Sequence, residues 1–221
     1  KWYSYDQNYI SRITHQYQLA SSSNASPLSL PSIGPNEDEN DYNKRASDTL
    51  EQALSLDRVF YYPKKAGSGT CVEMCDILDS SKRLIHVKKE SGPAGYSHLY
   101  RQACTAGDLL CNDKQSYQWL LKKALDMGFD KRGFSTDFNP TDWTFVLAIT
   151  VSRSKRTGER KLIPLMSRIG LLDCRKQLRA MGFSVEVLFI DQLGISDAKN
   201  IIIADELDKK KITTGKKLVT I

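Results

Sequence analysis

The segment of residues 71–89 constrains the fold of this chain more than any other stretch. Two β-type runs, residues 71–78 and 83–89, flank the polar break Asp-Ser-Ser-Lys, and this is the pattern of an antiparallel hairpin. Side-chain alternation sets its register, because a slip of one residue would move every apolar side chain to the other face. The register that keeps apolar and ionisable side chains apart places Asp76 opposite His86.

That register gives the hairpin one apolar and one ionisable face. The apolar face holds two pairs: Ile77 with Ile85, and Cys75 with Val87. Asp76, His86 and Lys88 then project together from the other face, which is the candidate site. The alternative interpretation is a structural ion pair between Asp76 and Lys88, with a hydrogen-bonded histidine beside it on a half-exposed sheet.

Composition narrows the class of protein. The chain has 221 residues, of which 40% are hydrophobic, and so can bury a sizeable core. Its 32 Lys and Arg against 26 Asp and Glu give a formal charge of +6, which suits a polyanionic partner and is also common in proteins without one. Lacking a membrane-length apolar run or a signal-peptide layout, the chain is expected to be soluble and cytoplasmic. Its five scattered cysteines predict reduced thiols.

Three regions are expected along the chain. Residues 1–35 combine an amphipathic helix with a linker rich in Ser and Pro, residues 36–190 form the core domain, and residues 191–221 form a basic appendage. The chain opens on Lys1 rather than Met, so we expect a fragment of a longer protein or a processed product.

The core domain shows the alternation of an α/β fold. Tyr42, Ala46, Leu50 and Leu54 recur every four residues and predict one helix with acids at its start. A strand over residues 56–62, the hairpin and two helices follow. The apolar run 143–151 predicts a central strand buried on both faces, and a further helix and strand complete a mixed central sheet flanked by helices.

This order of elements, with an acid on the second strand and a residue-x-Lys pair on the third, resembles the PD-(D/E)xK nuclease superfamily over residues 37–190. The resemblance implies a restriction-endonuclease-like αβββαβ core in which Glu39 and Asp76 hold Mg²⁺ or Mn²⁺ and Asp76, His86 and Lys88 are catalytic. His86 stands where the superfamily has Asp, Glu or sometimes Gln. Imidazole is a poorer ligand for magnesium than a carboxylate, so the exchange shifts the expected preference toward manganese.

Three phrases, at residues 72–78, 84–89 and 96–99, also look like a sporadically distributed bacterial family of unknown function associated with mobile or defence loci. Members of that family are longer, and this chain is similar to their C-terminal part. This second resemblance implies a role in defence or mobile-element biology.

Nucleic acid, with DNA foremost, is the expected partner, and no membrane is expected. His98, Arg101 and Gln102 share one helix face and would contact it. The loop of residues 152–161 supplies Arg153, Lys155 and Arg156 as phosphate contacts, although a solvated loop explains the same charges. A homo-oligomer and an additional N-terminal region remain open as further partners.

Three functions remain open at this point. The first is a metal-dependent nuclease that hydrolyses phosphodiester bonds, and the second is a catalytically silent nuclease fold that binds nucleic acid or protein. The third is a thiol-ligated zinc site built from Cys75, His86 and His98, although the cysteines form no C-x-x-C pair. Glu39 also has a plainer interpretation, since acids complement the dipole at a helix start.

Overall fold

A computed structural model describes residues 6–22, 28–64, 70–90, 92–130, 133–152 and 163–193. The helices of these residues are α1 (Gln7–Ser22), α2 (Glu39–Asp48), α3 (Pro93–Asn112), α4 (Lys114–Asp126) and α5 (Leu165–Ala180). The strands are β1 (Ala53–Ser55), β2 (Phe60–Tyr61), β3 (Val72–Glu73), β4 (Ile77–Asp79), β5 (Arg83–Lys88), β6 (Thr144–Val151) and β7 (Ser184–Asp191). A short 3₁₀ turn at Pro140–Asp142 leads into β6.

Five strands form one mixed sheet in the order β1-β4-β5-β6-β7. β4 is antiparallel to both of its neighbours, whereas β5, β6 and β7 run parallel to one another. Helices flank this sheet, so the predicted α/β fold is confirmed. β6 is buried along nearly its whole length, as predicted for a central strand covered on both faces. β2 and β3 pair separately as a two-stranded ribbon.

The hairpin of β4 and β5 has the predicted register. Ile77 pairs with Ile85, and Leu78 pairs with Leu84. The predicted pairing of Cys75 with Val87 is wrong, because these two side chains lie in apolar clusters on opposite faces of the sheet. The ladder ends at Ile77, and the backbone before it no longer follows the alternation of a strand.

Each face of the sheet has its own apolar cluster. The smaller cluster packs α2 on the sheet through Tyr42, Ala46, Ile77, Ile85 and Val87, among others. The larger cluster packs α3, α4 and α5 on the opposite face, against Leu84, Phe145 and Leu147 among others. This layering places α2 and α3 on opposite sides of β5.

Two predicted boundaries near α2 are wrong. α2 ends at Asp48, and Leu54 lies in β1 rather than on the helix. The predicted strand over residues 56–62 is broken by a turn in which Arg58 adopts a φ of 62°, a left-handed conformation that cannot continue a strand. Asp57 therefore stands in a turn between β1 and β2.

Part of the predicted linker contributes to the core. Ile33 is fully buried, its N–H donates to Asp191 O, and its carbonyl accepts from Leu193 N–H. Residues 153–162, which include Arg153, Lys155 and Arg156, lie outside the described residues, as does nearly all of the predicted basic appendage. Within the described ranges, no helix has both the length and the apolar character needed to cross a membrane.

Candidate metal centre

One edge of the main sheet collects the polar residues that the fold brings together. Because β4 is antiparallel to β1 and β5, its first residue lies at the same edge as the carboxyl ends of β1 and β5. Asp57 follows β1, Asp76 directly precedes β4, and Lys88 ends β5. The carboxyl ends of strands are the usual place for ligand sites in open α/β sheets.

Three carboxylates converge at this edge. Asp57, Glu73 and Asp76 each offer an oxygen, and these oxygens all lie within 4.8 Å of one another. Asp76 is buried, whereas Asp57 and Glu73 are partly exposed. They form the only group of three or more metal-ligating side chains found in the described part of the chain.

Asp57 is held by the side chains of α2. Asn40 Nδ2 and Asn43 Nδ2 both donate to Asp57 Oδ2 at 3.1 Å. Asn43 is fully buried, so its amide is fixed by packing and aims at this carboxylate. The left-handed turn at Arg58 directs Asp57 back toward the helix instead of along a strand.

Glu73 is held from two sides. Its Oε1 accepts the Arg58 backbone N–H, and its Oε2 accepts Gln102 Nε2 of α3 at 2.8 Å. Burial raises the pKa of Glu73, and the nearby charge of Asp57 raises it further. The carboxyl group of Glu73 is thus fixed in place, but burial and the charge of Asp57 disfavour its ionised form.

The ribbon that carries Glu73 is anchored by a second contact. Tyr61 of β2 donates through its hydroxyl to Asp113 Oδ2 at 2.6 Å. Asp113 also caps α4, since its Oδ1 accepts Gln115 N–H. One carboxylate therefore joins the ribbon to the start of α4.

Asp76 occupies the place where the hairpin ladder ends. Its backbone N–H donates to Ile85 O at 3.0 Å, and its Oδ2 accepts Val87 N–H at 2.6 Å. Burial is the main reason that the pKa of Asp76 lies well above its usual range, and the negative charges of Glu73, Asp57 and Glu39 add to the rise. Asp76 thus needs a proton or a cation to offset this burial and repulsion.

Lys88 and Glu39 meet at the carboxyl end of β5, and the charge of Glu39 acts on Asp76. Lys88 Nζ donates to Glu39 Oε1 at 2.8 Å, and Lys89 N–H donates to Glu39 Oε2 at 2.7 Å. The two side chains are 21% and 34% exposed. Glu39 was predicted to hold a metal together with Asp76, but both of its oxygens are engaged by β5 and the residue following it.

His86 lies apart from this group. Its ring is fully buried and stacks on Phe145, with 5.6 Å between ring centroids and an interplanar angle of 7°. Neither ring nitrogen has a hydrogen-bond partner among the described residues. Burial lowers the pKa of His86 to about 3, so the ring is neutral at physiological pH. The structure therefore does not bring the predicted catalytic histidine to Asp76 or Lys88.

The predicted nucleic-acid contacts on α3 lie next to Glu73. A cavity of about 270 Å³ is lined by His98, Arg101 and Gln102 together with Glu73 and Phe60. His98 and Arg101 are exposed, whereas Gln102 reaches into the site as the donor to Glu73.

The oxygens of the site fit a hard divalent cation. Mg²⁺ and Mn²⁺ prefer carboxylate oxygens, whereas structural zinc favours thiolate and imidazole ligands. Asp57, Glu73 and Asp76 offer only carboxylates, and the group found in the described residues contains neither Cys75 nor His86 nor His98. The donor set thus fits Mg²⁺ or Mn²⁺ rather than the alternative zinc site.

Sequence reasoning found Asp76 but missed Asp57 and Glu73. Glu73 stands three positions before Asp76, which in a regular strand would put the two side chains on opposite faces. Asp57 lies in a segment predicted to be a strand. The signal available was the position of Asp57 directly after the run Ala-Leu-Ser-Leu at 53–56, where a strand end and a turn place a side chain at a sheet edge.

Comparison with known proteins places the chain in a family. No curated protein and no solved structure matches the chain. A family described as a family of unknown function, DUF6119, matches residues 1–191 and so includes every residue of the site. The chain belongs to this family of unknown function.

Proposed function

We propose that this chain is a metal-dependent nuclease-like domain that hydrolyses phosphodiester bonds of nucleic acid, with DNA as the first substrate to test. The observation that carries the proposal is the convergence of Asp57, Glu73 and Asp76 within 4.8 Å at the carboxyl edge of a mixed sheet. Lys88 ends the neighbouring strand β5. Acids and an ammonium group at one edge of a sheet match the needs of phosphodiester hydrolysis, and the order of elements, which resembles that of restriction endonucleases, agrees with this chemistry.

The three carboxylates would hold Mg²⁺ or Mn²⁺. When bound, such a cation neutralises charge on the phosphate and lowers the pKa of a bound water. Asn40 and Asn43 orient Asp57, Gln102 orients Glu73, and the Val87 N–H orients Asp76. These contacts keep the ligands in place before a cation arrives, which is what a preorganised site requires.

Lys88 is the residue proposed to position the attacking water and to stabilise negative charge on the phosphate. Its side chain is partly exposed at the strand end, so a phosphate oxygen can approach it. Glu39 accepts from both Lys88 Nζ and Lys89 N–H and therefore acts as a positioning residue for Lys88. His86 has no part in this proposal, because its ring is buried in the core.

Cleavage assays with a matched pair of variants test the proposal. The purified chain is incubated with linear duplex DNA, circular DNA, single-stranded DNA and RNA, in Mg²⁺, Mn²⁺ or EDTA. We expect metal-dependent cleavage that Asp76→Asn abolishes. Asp79→Asn is the control, because Asp79 is as buried as Asp76 but pairs with Arg83 at the other end of β4.

The same assays separate the nuclease from the catalytically silent alternative. Cleavage of none of the four substrates in either metal, combined with binding that weakens as salt rises, would replace the nuclease with a nucleic-acid-binding module. The absence of both cleavage and such binding would leave a protein-binding module as the function to pursue. A role in defence or mobile-element biology is proposed on the phrases at residues 72–78, 84–89 and 96–99 alone.

A further inference from the structure

A pair of thiols lies where α3 packs on α5 and is separate from the group of Asp57, Glu73 and Asp76. This contact between the two helices is called the seam below. Cys104 of α3 and Cys174 of α5 have their sulfur atoms 3.4 Å apart and share a hydrogen bond. All five cysteines of the chain lie in the described ranges, and each is a free thiol. A disulfide bond is about 2.05 Å long, so these two sulfurs would need to approach by only roughly 1.4 Å to become bonded.

The seam brings the thiols together because its helices pack closely. A Cβ atom on Gly170 of α5 would lie 3.0 Å from the ring of Tyr100, and one on Gly107 of α3 would lie 2.8 Å from Leu178. Small residues at both positions let the two helices approach. The thiol contact is therefore fixed by packing on both sides of the seam.

The two thiols differ in access. Cys174 is only 2% exposed, and its thiol also donates to Tyr100 O at 3.5 Å. Cys104 is partly exposed, and both cysteines line, with Asp108, Asp173 and Gln177, a cavity of about 620 Å³. A small oxidant in this cavity reaches the partly exposed Cys104 more readily than the buried Cys174.

The more accessible thiol, Cys104, is also the one that ionises more readily. When Cys104 is ionised, the Cys174 thiol donates to it, and this hydrogen bond lowers the pKa of Cys104. The same contact raises the pKa of Cys174, and burial raises it further. Thiolates rather than thiols attack oxidants, so Cys104 is the better nucleophile of the two.

We propose that Cys104 and Cys174 form a peroxide-sensitive dithiol in which Cys104 is oxidised first and Cys174 then closes a disulfide. The Cys104 thiolate attacks one oxygen of hydrogen peroxide, the O–O bond breaks, and the thiolate becomes a sulfenic acid. The hydroxide that leaves takes up the proton that Cys104 lost on ionising and becomes water. The Cys174 sulfur then attacks the sulfenic sulfur, the S–O bond breaks, and the thiol proton leaves with the departing hydroxide as water. Two thiols and one peroxide become one disulfide and two waters.

Mass spectrometry of the full chain tests this assignment without relying on nuclease activity. After treatment with hydrogen peroxide, we expect an intact mass lower by about 2 Da and a protease digest in which the peptides containing Cys104 and Cys174 are joined. The digest uses the wild-type chain, so it does not depend on the folding of any variant. A bond mapped to another pair of cysteines, or none at all, overturns the proposal.

Variants assign the order of the two steps. Cys174→Ser should stop at the sulfenic acid, which gains about 16 Da and reacts with dimedone at Cys104. Cys104→Ser should leave Cys174 reduced, whereas the exposed-cysteine controls Cys71→Ser and Cys111→Ser should form the bond as wild type does. Dimedone labelling of Cys174 in the Cys104→Ser variant would overturn the assigned order.

Discussion

Lys88 Nζ lies 2.8 Å from Glu39 Oε1, and this contact joins the end of β5 to the first turn of α2. The same glutamate accepts the backbone N–H of Lys89 through its other oxygen. Glu39 therefore fixes both the side chain of Lys88 and the direction in which the chain leaves the strand. The acid that the sequence suggested as a metal ligand thus has both carboxylate oxygens engaged by residues 88 and 89.

Lys88→Met should lower the rate of metal-dependent cleavage by roughly 10²- to 10⁴-fold, the range for a lost proton-transfer or charge-stabilising group, while nucleic-acid affinity changes little. Single-turnover kinetics with excess enzyme measures this rate. Lys89→Met is the matched control, because the Lys89 side chain binds Glu37 O and its backbone contact with Glu39 survives the change. Equal losses in both variants would remove Lys88 from its proposed role.

Glu39→Gln tests whether Glu39 belongs to the set of metal ligands. If Asp57, Glu73 and Asp76 hold the cation, Glu39→Gln should change the Mn²⁺ dissociation constant by less than about threefold, whereas Glu73→Gln should weaken it by about tenfold or more. Isothermal titration calorimetry of the apo chain measures both constants. The reverse ranking would return Glu39 to the ligand set.

Asp76 should make the apo protein less stable as the pH rises. The pKa of Asp76 in the folded chain lies well above its usual range. The folded state is therefore favoured by the protonated Asp76 carboxyl group, and this contribution to the free energy of unfolding is fully present below the pKa of the unfolded chain, about 3.9. That contribution is lost as the pH rises through the folded pKa. The free energy of unfolding in urea and EDTA, measured from pH 4 to pH 8, should fall for wild type relative to Asp76→Asn. A constant difference between the two proteins across this range would contradict the raised pKa.

His86→Leu should stabilise the protein by about 1–3 kcal/mol, since it removes two buried nitrogens that have no partner among the described residues. The advantage should grow as the pH falls below about 6.5. The folded pKa of His86 is near 3, so the unfolded chain binds a proton first and wild type loses stability. Urea unfolding at pH 7 and pH 5 measures both effects. Cleavage by His86→Leu at the wild-type rate would also confirm that the ring is not catalytic, and a large loss of rate would contradict this.

Alternation in the sequence predicted the register of the hairpin because only that register keeps its paired isoleucines on one apolar face. A one-residue slip would have moved Ile77 and Ile85 away from the face that α2 covers, and the structure keeps them paired and buried on that face. The long apolar run of β6 was predicted for the same reason. In both segments the buried apolar side chains determine the structure, because their burial contributes most of its stability.

The candidate site was predicted less well because its residues do not lie on regular elements. Asp57 stands in a turn, Glu73 lies in a strand of two residues, and Asp76 precedes β4. Side-chain periodicity says nothing about where such residues point. His86 was correctly predicted to lie on the second strand of the hairpin. Alternation gave no sign that Phe145 of the neighbouring strand would stack on the His86 ring.

The short β2–β3 ribbon has a consequence for the order in which the chain assembles. Ribbons of two residues per strand do not persist by themselves in water, so this one depends on the contacts of Tyr61 with Asp113 and of Gln102 with Glu73. These partners are 52 and 29 positions apart in the chain, and such distant contacts form late in folding. We therefore expect Glu73 to reach Asp57 and Asp76 only after α3 and α4 have docked, so that the nascent chain becomes competent to hold a cation as one of its last folding events.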